Sequence, residues 1–247
     1  MKRYLYACAM CQSMFCAIPC PWKVWEEKAR PLILLFLPVV GLEIGLLWAG
    51  LAWLCRWLAL PPLVAGLLLS GYPYLVTGFL HLDGFMDVTD AVRSWRDLEK
   101  RREILKDSHV GSFAVIGVVL LLLAGFALLS SGTGDFRILI FVPIVSRCCS
   151  ALAVTVLRPM NTSQYAGSFR EGISKAQPIA FSVILVLAVA GGFLICGKYG
   201  FALLGGIAGH ALALNRGFRS LKGMNGDISG YALTLSELAA VAVYTLL

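Results

Sequence analysis

The sequence predicts an all-α fold: a polytopic transmembrane helical bundle of about seven spans, with a short cytoplasmic amphipathic helix between spans two and three. Three observations carry this. Of the 247 residues, 59% are hydrophobic and only 14% are charged, against about 25% charged in an ordinary soluble domain. The apolar residues gather into runs near the roughly 20 that a helix needs to cross a bilayer. The cations fall between those runs in alternation. Because the runs are apolar throughout rather than alternating with polar residues, helices are expected and not a β-barrel.

The whole chain, 1–247, reads as a single integral-membrane domain, with residues 1–31 as a cytoplasmic or interfacial tail. Its opening carries no convincing cleavage site and is expected to stay in place. Cys8, Cys11, Cys16 and Cys20 make a C-x2-C-x4-C-x3-C run, a spacing that can hold zinc or an iron–sulfur cluster. The intervening Ala9, Met10, Phe15, Ala17 and Ile18 are apolar and no His lies near. Reduced thiols in an interfacial segment are therefore expected. The spans follow in order: 32–58, 63–80, 111–130, 138–157, 178–196, 200–218 and 231–247. The first is long enough to tilt or to begin in the headgroups. Gly205, Gly206 and Gly209 dilute the sixth, and Glu237 interrupts the seventh. Between the second and third, "TDAVRSWRDLEKRREILKDS" reads as one charged helix with Val92, Trp95, Leu98, Ile104 and Leu105 on an apolar side.

Orientation follows from Lys and Arg. The tail holds five, the 81–110 loop six, and the 158–177 and 215–230 loops three each. All of these share one side, the cytoplasmic one, if the N-terminus is inside a prokaryotic cell membrane. Arg56, Arg137 and Lys198 fall outside, and Arg147 lies within a span. The net charge of +7 is accounted for by topology and anionic lipid contact, so the bilayer is a partner and nucleic acid is not. Nothing in the sequence sets the oligomeric state, which leaves room for a homo-oligomer.

Within this apolar chain "HLDGFMDVTD" stands out. Asp83, Asp87 and Asp90 are spaced i, i+4, i+7, so on a helix they share one face. Three unpaired carboxylates at a membrane edge repel, and a hard divalent cation removes the repulsion. Oxygen ligands favour a hard ion, Mg2+ or Mn2+, and Mg2+ characteristically binds one or two carboxylates together with substrate phosphates. The alternative is a solvated face paired with Arg93 or Arg96. Gly84 leaves room for a phosphate or a helix break, and His81 could donate to phosphate or orient Asp83. Asp107 and Ser108 in "KDSHVG" could face this cluster and could also cap the third span, two compatible roles. In "NGDISG", Asn225 and Asp227 stand before the last span. Inside the membrane lie Glu43, Arg147, His210 and Glu237. A buried Arg in a span pairs with a carboxylate, and Glu43 and Glu237 are the candidates. There is no Walker loop, G-x-S-x-G, H-E-x-x-H or dinucleotide fingerprint. A transporter would place its polar groups nearer the midplane.

"TGFLHLDGFMDVTD", "REILKDSHVGSFAV", "VSR" and "NGDISGYALTLSEL" occur in an order that resembles the cobalamin synthase family, the adenosylcobinamide-GDP ribazoletransferases. "IPCP" and "FLPVVGLEIGLL" are similar to that family's proline motif and glycine-rich first span. The resemblance covers almost the whole chain. It implies that adenosylcobinamide-GDP is joined to α-ribazole or its 5′-phosphate, giving adenosylcobalamin or its 5′-phosphate with release of GMP, in a Mg2+-dependent step. It also implies that Asp83, Asp87 and Asp90 are metal ligands, with His81, Asp107, Ser108, Arg147 and Asp227 as catalytic candidates. Gly84, Asn225 and Glu237 become candidates for substrate contact. CDP-alcohol phosphatidyltransferases and UbiA-type prenyltransferases fit less well. The first needs x-x-Ala-Arg after Asp83-Gly84, where Phe85-Met86-Asp87 stand, and the second needs a second Asp-rich motif. Ala91 replaces the Gly usual in the cobalamin synthase motif, which puts the local backbone path at issue. "FCAIPCP" stands where a Thr-Arg pair is expected.

Overall fold

The computed structural model describes residues 2–160 and 172–247, so Arg170 of the expected cytoplasmic loop lies outside the described residues. Among the described residues the regular structure is helical, apart from one isolated bridge between Pro159 and Met224. The tail forms α1, Lys2–Phe15. It buries Ala7, Met10, Cys11 and Phe15, and the Arg3 guanidinium bonds to the Lys28 carbonyl. The tail is therefore packed on the bundle.

The first span opens as a 3-10 helix, Glu27–Phe36, and continues as α2, Leu37–Trp57. Pro31 inside the 3-10 stretch supplies no N–H and blocks an α-helical hydrogen bond. Pro38 then occupies the first turn of α2, where the missing donor costs nothing. The second span differs from the expected 63–80 run. Helix α3, Pro62–Val76, stops at Gly78 and Phe79, both left-handed (φ +59° and +63°), and the chain turns by 90° into α4, Leu80–Arg93. Two successive left-handed residues cannot continue a right-handed helix. The Thr77 hydroxyl, bonded to the Pro73 carbonyl at 2.8 Å, satisfies one of the acceptors this frees.

The single charged helix expected over 89–108 is in fact two pieces. α4 runs through a fully buried Ala91 and ends at Arg93, Trp95 takes φ +55°, and Asp97 caps a short α5, Leu98–Ile104. Asp97 Oδ1 accepts from the Lys100 N–H, a local bond that starts a new helix rather than extending the old one. Ala91 is thus simply helical, and the chain leaves α4 three residues later.

α6, Ser112–Ser131, follows. A 3-10 turn, Phe136–Ile140, leads into α7, Val142–Val156, which is buried almost throughout and forms the centre of the bundle. α8, Ala176–Cys196, and α9, Phe201–Leu221, are joined through Gly197 (φ +56°) and a 3-10 turn. Leu203 packs on Gly192, and the Phe193 and Phe201 rings meet edge to face at 5.1 Å. Residues 11 apart on one straight helix would be about 16 Å apart, so this pair is a hairpin. α10, Gly226–Leu246, completes the chain. Among the described residues, five helical runs are long and apolar enough to cross a membrane, or six with the bent α3–α4 pair. Counting the α8–α9 hairpin as two crossings gives the seven expected.

Candidate active site

The acidic face is set by α4. Asp83 is exposed and Asp87 and Asp90 are half-buried, while Leu82, Phe85, Val88 and Ala91 are buried on the other side of the same helix. That buried side packs against the start of α10. A Cβ on Gly84 would lie 2.9 Å from both Cα and the carbonyl oxygen of Asp227. One turn earlier, a Cβ on Gly230 would lie 3.1 Å from the His81 carbonyl oxygen, which also accepts from the Thr234 hydroxyl at 3.2 Å. The Phe85 and Tyr231 rings stack at 5.7 Å. Small residues at such a crossing let two backbones approach closely. The space beside Gly84 is thus filled by the backbone of Asp227, and the helix runs through Gly84 without a break, contrary to the room for a phosphate or a break that the sequence suggests.

Asp227 is itself held. Asn225 caps α10, its Oδ1 accepting from the Ile228 N–H at 2.9 Å, while its Nδ2 donates to Asp227 Oδ2 at 2.6 Å. The turn before the cap is clamped from two sides. The Met160 N–H donates to the Met224 carbonyl at 2.8 Å, and the Met224 N–H to the Arg158 carbonyl at 2.9 Å. From α5 the Arg102 guanidinium donates twice to the Leu221 carbonyl, at 3.1 and 2.9 Å, closing the C-terminus of α9.

Asp83, Asp227 and Asp90 each bring negative charge to bear on Asp87. Among the described residues none of these four carboxylates is in an ion pair, so the expected alternative of pairing with Arg93 or Arg96 is not what the structure forms. The donor set is all oxygen and its charge is uncompensated, a combination that suits a hard divalent cation. Among the described residues no three acidic, His or Cys groups already converge at ligating distance.

The "KDSHVG" segment reaches this face through a residue that the sequence did not single out. Gly111 lies directly against the Asp90 carboxylate, with no room for a side chain. Asp107 and Ser108 are exposed. Asp107 bonds to the backbone N–H of His109 at 3.0 Å and to its ring at 2.7 Å, which hold its carboxyl below the usual range. Neither residue caps the third span: α6 is capped by Gly111 with no side-chain bond.

Arg147 and Glu237 are committed to each other. Both are buried, Arg147 Nη1 donates to Glu237 Oε1 at 2.7 Å, and Ser146 Oγ donates to the same oxygen at 2.9 Å. Glu43, the other candidate partner, makes no ion pair among the described residues. The pair ties α7 to α10 in the interior and is not on the acidic face. One turn further along α7, Ser150 Oγ lies 3.3 Å from His210 Nε2.

Asp83 and Asp227 also form one wall of a cavity of about 390 Å³. Its other walls include Met14 and Phe15 from α1, Leu34, Leu37 and Leu233, with Ser150 from α7. His81 lines it too, stacked on Phe15 at 6.4 Å and 14°, and its buried Nε2 has no hydrogen-bond partner among the described residues. Ser150, Met14 and Phe15 carried no signal in the sequence, because each sits in an ordinary apolar helical pattern. The tail cysteines are unbridged, and burial pushes the thiols of Cys11, Cys8 and Cys16 above their usual range.

A family model described as cobalamin-5-phosphate synthase matches residues 7–245. Proteins named adenosylcobinamide-GDP ribazoletransferase are similar along the same length. The one from Clostridium perfringens strain SM101 is 40% identical over 246 residues, covering 98% of each chain. The one from Lachnoclostridium phytofermentans is 34% identical over 236 residues, covering 92% of this chain and 88% of its own. The one from Brevibacillus brevis is 33% identical over 256 residues, covering 98% and 97%. No solved structure matches the chain. The chain belongs to the cobalamin-5-phosphate synthase family.

Proposed function

We propose that the chain joins adenosylcobinamide-GDP to α-ribazole or its 5′-phosphate, forming adenosylcobalamin or its 5′-phosphate and GMP, at the acidic face of α4. A hydroxyl oxygen of the ribose forms a bond to the phosphorus that bears the corrinoid arm. The bond from that phosphorus to the bridging oxygen breaks, and GMP departs with it. Such phosphoryl chemistry is mostly positioning and charge neutralisation. Mg2+, when bound, would neutralise the pyrophosphate oxygens and polarise the phosphorus.

Asp83, Asp87 and Asp90 would hold the ion, with Asp227 brought to them by α10. One carboxylate of this group takes the hydroxyl proton. Asn225 fixes the direction of Asp227. Arg147 and Glu237 act from the interior, locking α7 to α10 so that the turn carrying Asn225 keeps its place. The cation-rich loops share the side on which the acidic face lies, which supports a cytoplasmic site in the inner membrane with the N-terminus inside. Nucleotide substrates and Mg2+ are found there.

The observation that carries the reading is the meeting of three α4 carboxylates with Asp227 across the Gly84 contact. The test is purified protein in lipid nanodiscs with adenosylcobinamide-GDP, α-ribazole and Mg2+, with chromatography for GMP and cobalamin. Equal amounts of both are expected. Absence of GMP with authentic substrates would sink the proposal.

A further inference from the structure

We infer that the cavity beside the acidic face seats the aromatic base of the ribazole, with His81 Nε2 donating to the one free nitrogen of its ring. The inference rests on the transferase reading above and names which half of which substrate lies there. The cavity of about 390 Å³ lies within the range of roughly 300–1,000 Å³ usual for small-ligand pockets. A corrin macrocycle with its amide arms would not enter it. The lining separates the attacking nucleoside from the departing guanine only through the position of the sugar. With its ribose at the polar part of the lining, Asp83, Asn225, Asp227 and Ser229, a base reaches Met14, Phe15, Leu34, Leu37 and Leu233, where most of guanine's edge donors and acceptors would be buried without partners. A dimethylbenzimidazole has an apolar perimeter and a single acceptor nitrogen.

His81 is built for that acceptor. It is 9% exposed, lines the cavity, and its Nε2 is buried with no partner among the described residues. Such a group is costly unless a ligand completes it. Phe15 holds the ring at 14° to its own plane, and the His81 backbone is pinned by Thr234 and Gly230. The imidazole therefore has little freedom to turn toward another acceptor. Asp83 and Asp227 line the same cavity, so a base seated there leaves its ribose beside the carboxylates, where the attacking hydroxyl is needed. Ser150, on the far helix, offers a further hydroxyl to the ligand.

The test compares wild type, His81→Leu and His81→Gln in nanodiscs. Direct binding of α-ribazole is measured by calorimetry without adenosylcobinamide-GDP, and KM is measured for each substrate. Loss of one hydrogen bond to a buried partner predicts about tenfold weaker α-ribazole binding in His81→Leu, with the KM for adenosylcobinamide-GDP within twofold of wild type. His81→Gln, whose amide N–H reaches to about the position of Nε2, should recover most of the loss. The indole riboside, in which the acceptor nitrogen is a C–H, should bind wild type as weakly as α-ribazole binds His81→Leu, and His81→Leu no more weakly. If instead the KM for adenosylcobinamide-GDP rises, or α-ribazole and its indole analogue bind wild type equally, the assignment is overturned. Wild-type turnover with authentic substrates separates this failure from failure of the transferase reading itself.

Discussion

Gly84→Ala is the change that bears most directly on how the site is built. The added Cβ would lie 2.9 Å from the Cα and carbonyl oxygen of Asp227, while ordinary contact begins near 3.4 Å. Both atoms are backbone and cannot swing aside, so α4 and α10 must part by about 0.5 Å. A misplacement of about 1 Å can cost about 10²-fold in rate, so kcat/KM should fall by roughly 10- to 100-fold. Stability should change less. Overpacking costs about 1–3 kcal/mol, and replacing Gly by Ala within a helix returns about 1 kcal/mol, leaving a net loss of about 0–2 kcal/mol. GMP release and thermal unfolding in nanodiscs would be followed together. Gly50→Ala is the control, because a Cβ there meets nothing within 4 Å among the described residues, and it should behave as wild type. Were Gly84→Ala to turn over within twofold of wild type, the α4–α10 contact would not be what positions the carboxylates.

Other outcomes follow from the same geometry. Asp83→Asn and Asp87→Asn should each lower GMP release by about 10²-fold or more while membrane content and melting stay near wild type. Asp107→Asn should retain activity within about threefold, since its carboxylate is exposed and already bonded to His109. Arg147→Met alone leaves Glu237 charged and buried and should cost about 3–5 kcal/mol in unfolding, whereas Arg147→Met with Glu237→Leu should recover most of that. Chemical denaturation would read both. Cys8 should label slowly with maleimide at pH 7 and faster as pH rises above the ordinary thiol range, because burial raises its thiol and lowers the thiolate fraction. Cys8→Ser should leave activity and metal content unchanged, and their joint loss would make the tail a metal site after all.

The parts of the fold that depend on neighbours in sequence were legible. The i, i+4, i+7 spacing of Asp83, Asp87 and Asp90 placed them on one helical face, and the apolar runs placed the spans. What failed were breaks set by single residues. Gly78 and Phe79 end α3 early, and Asp97 starts α5, because a left-handed residue or a local cap outweighs a continuous apolar or amphipathic pattern. Contacts between distant segments were legible only as types. Asp beside Gly or Ser at three loop ends suggested a shared site, yet only Asp227 joins the α4 face directly, while "KDSHVG" contributes Gly111, whose role is to have no side chain. Arg147 was expected to pair with a carboxylate, but packing, not sequence, chose Glu237 over Glu43. The cavity wall from Met14 and Phe15 exists because α1 packs on the bundle, which composition alone could not distinguish from a tail lying on the membrane.

The claim that the α4 carboxylates and Asp227 act as one site has a direct measurement. GMP release would be compared for Asp87→Asn, Asp227→Asn and the double variant, under saturating substrates and Mg2+. Groups that act as a unit lose activity non-additively, so each single variant should fall by about 10²-fold or more and the double should be no worse than the poorer single. Near-normal turnover in Asp227→Asn, or losses that simply multiply in the double variant, would contradict a shared site.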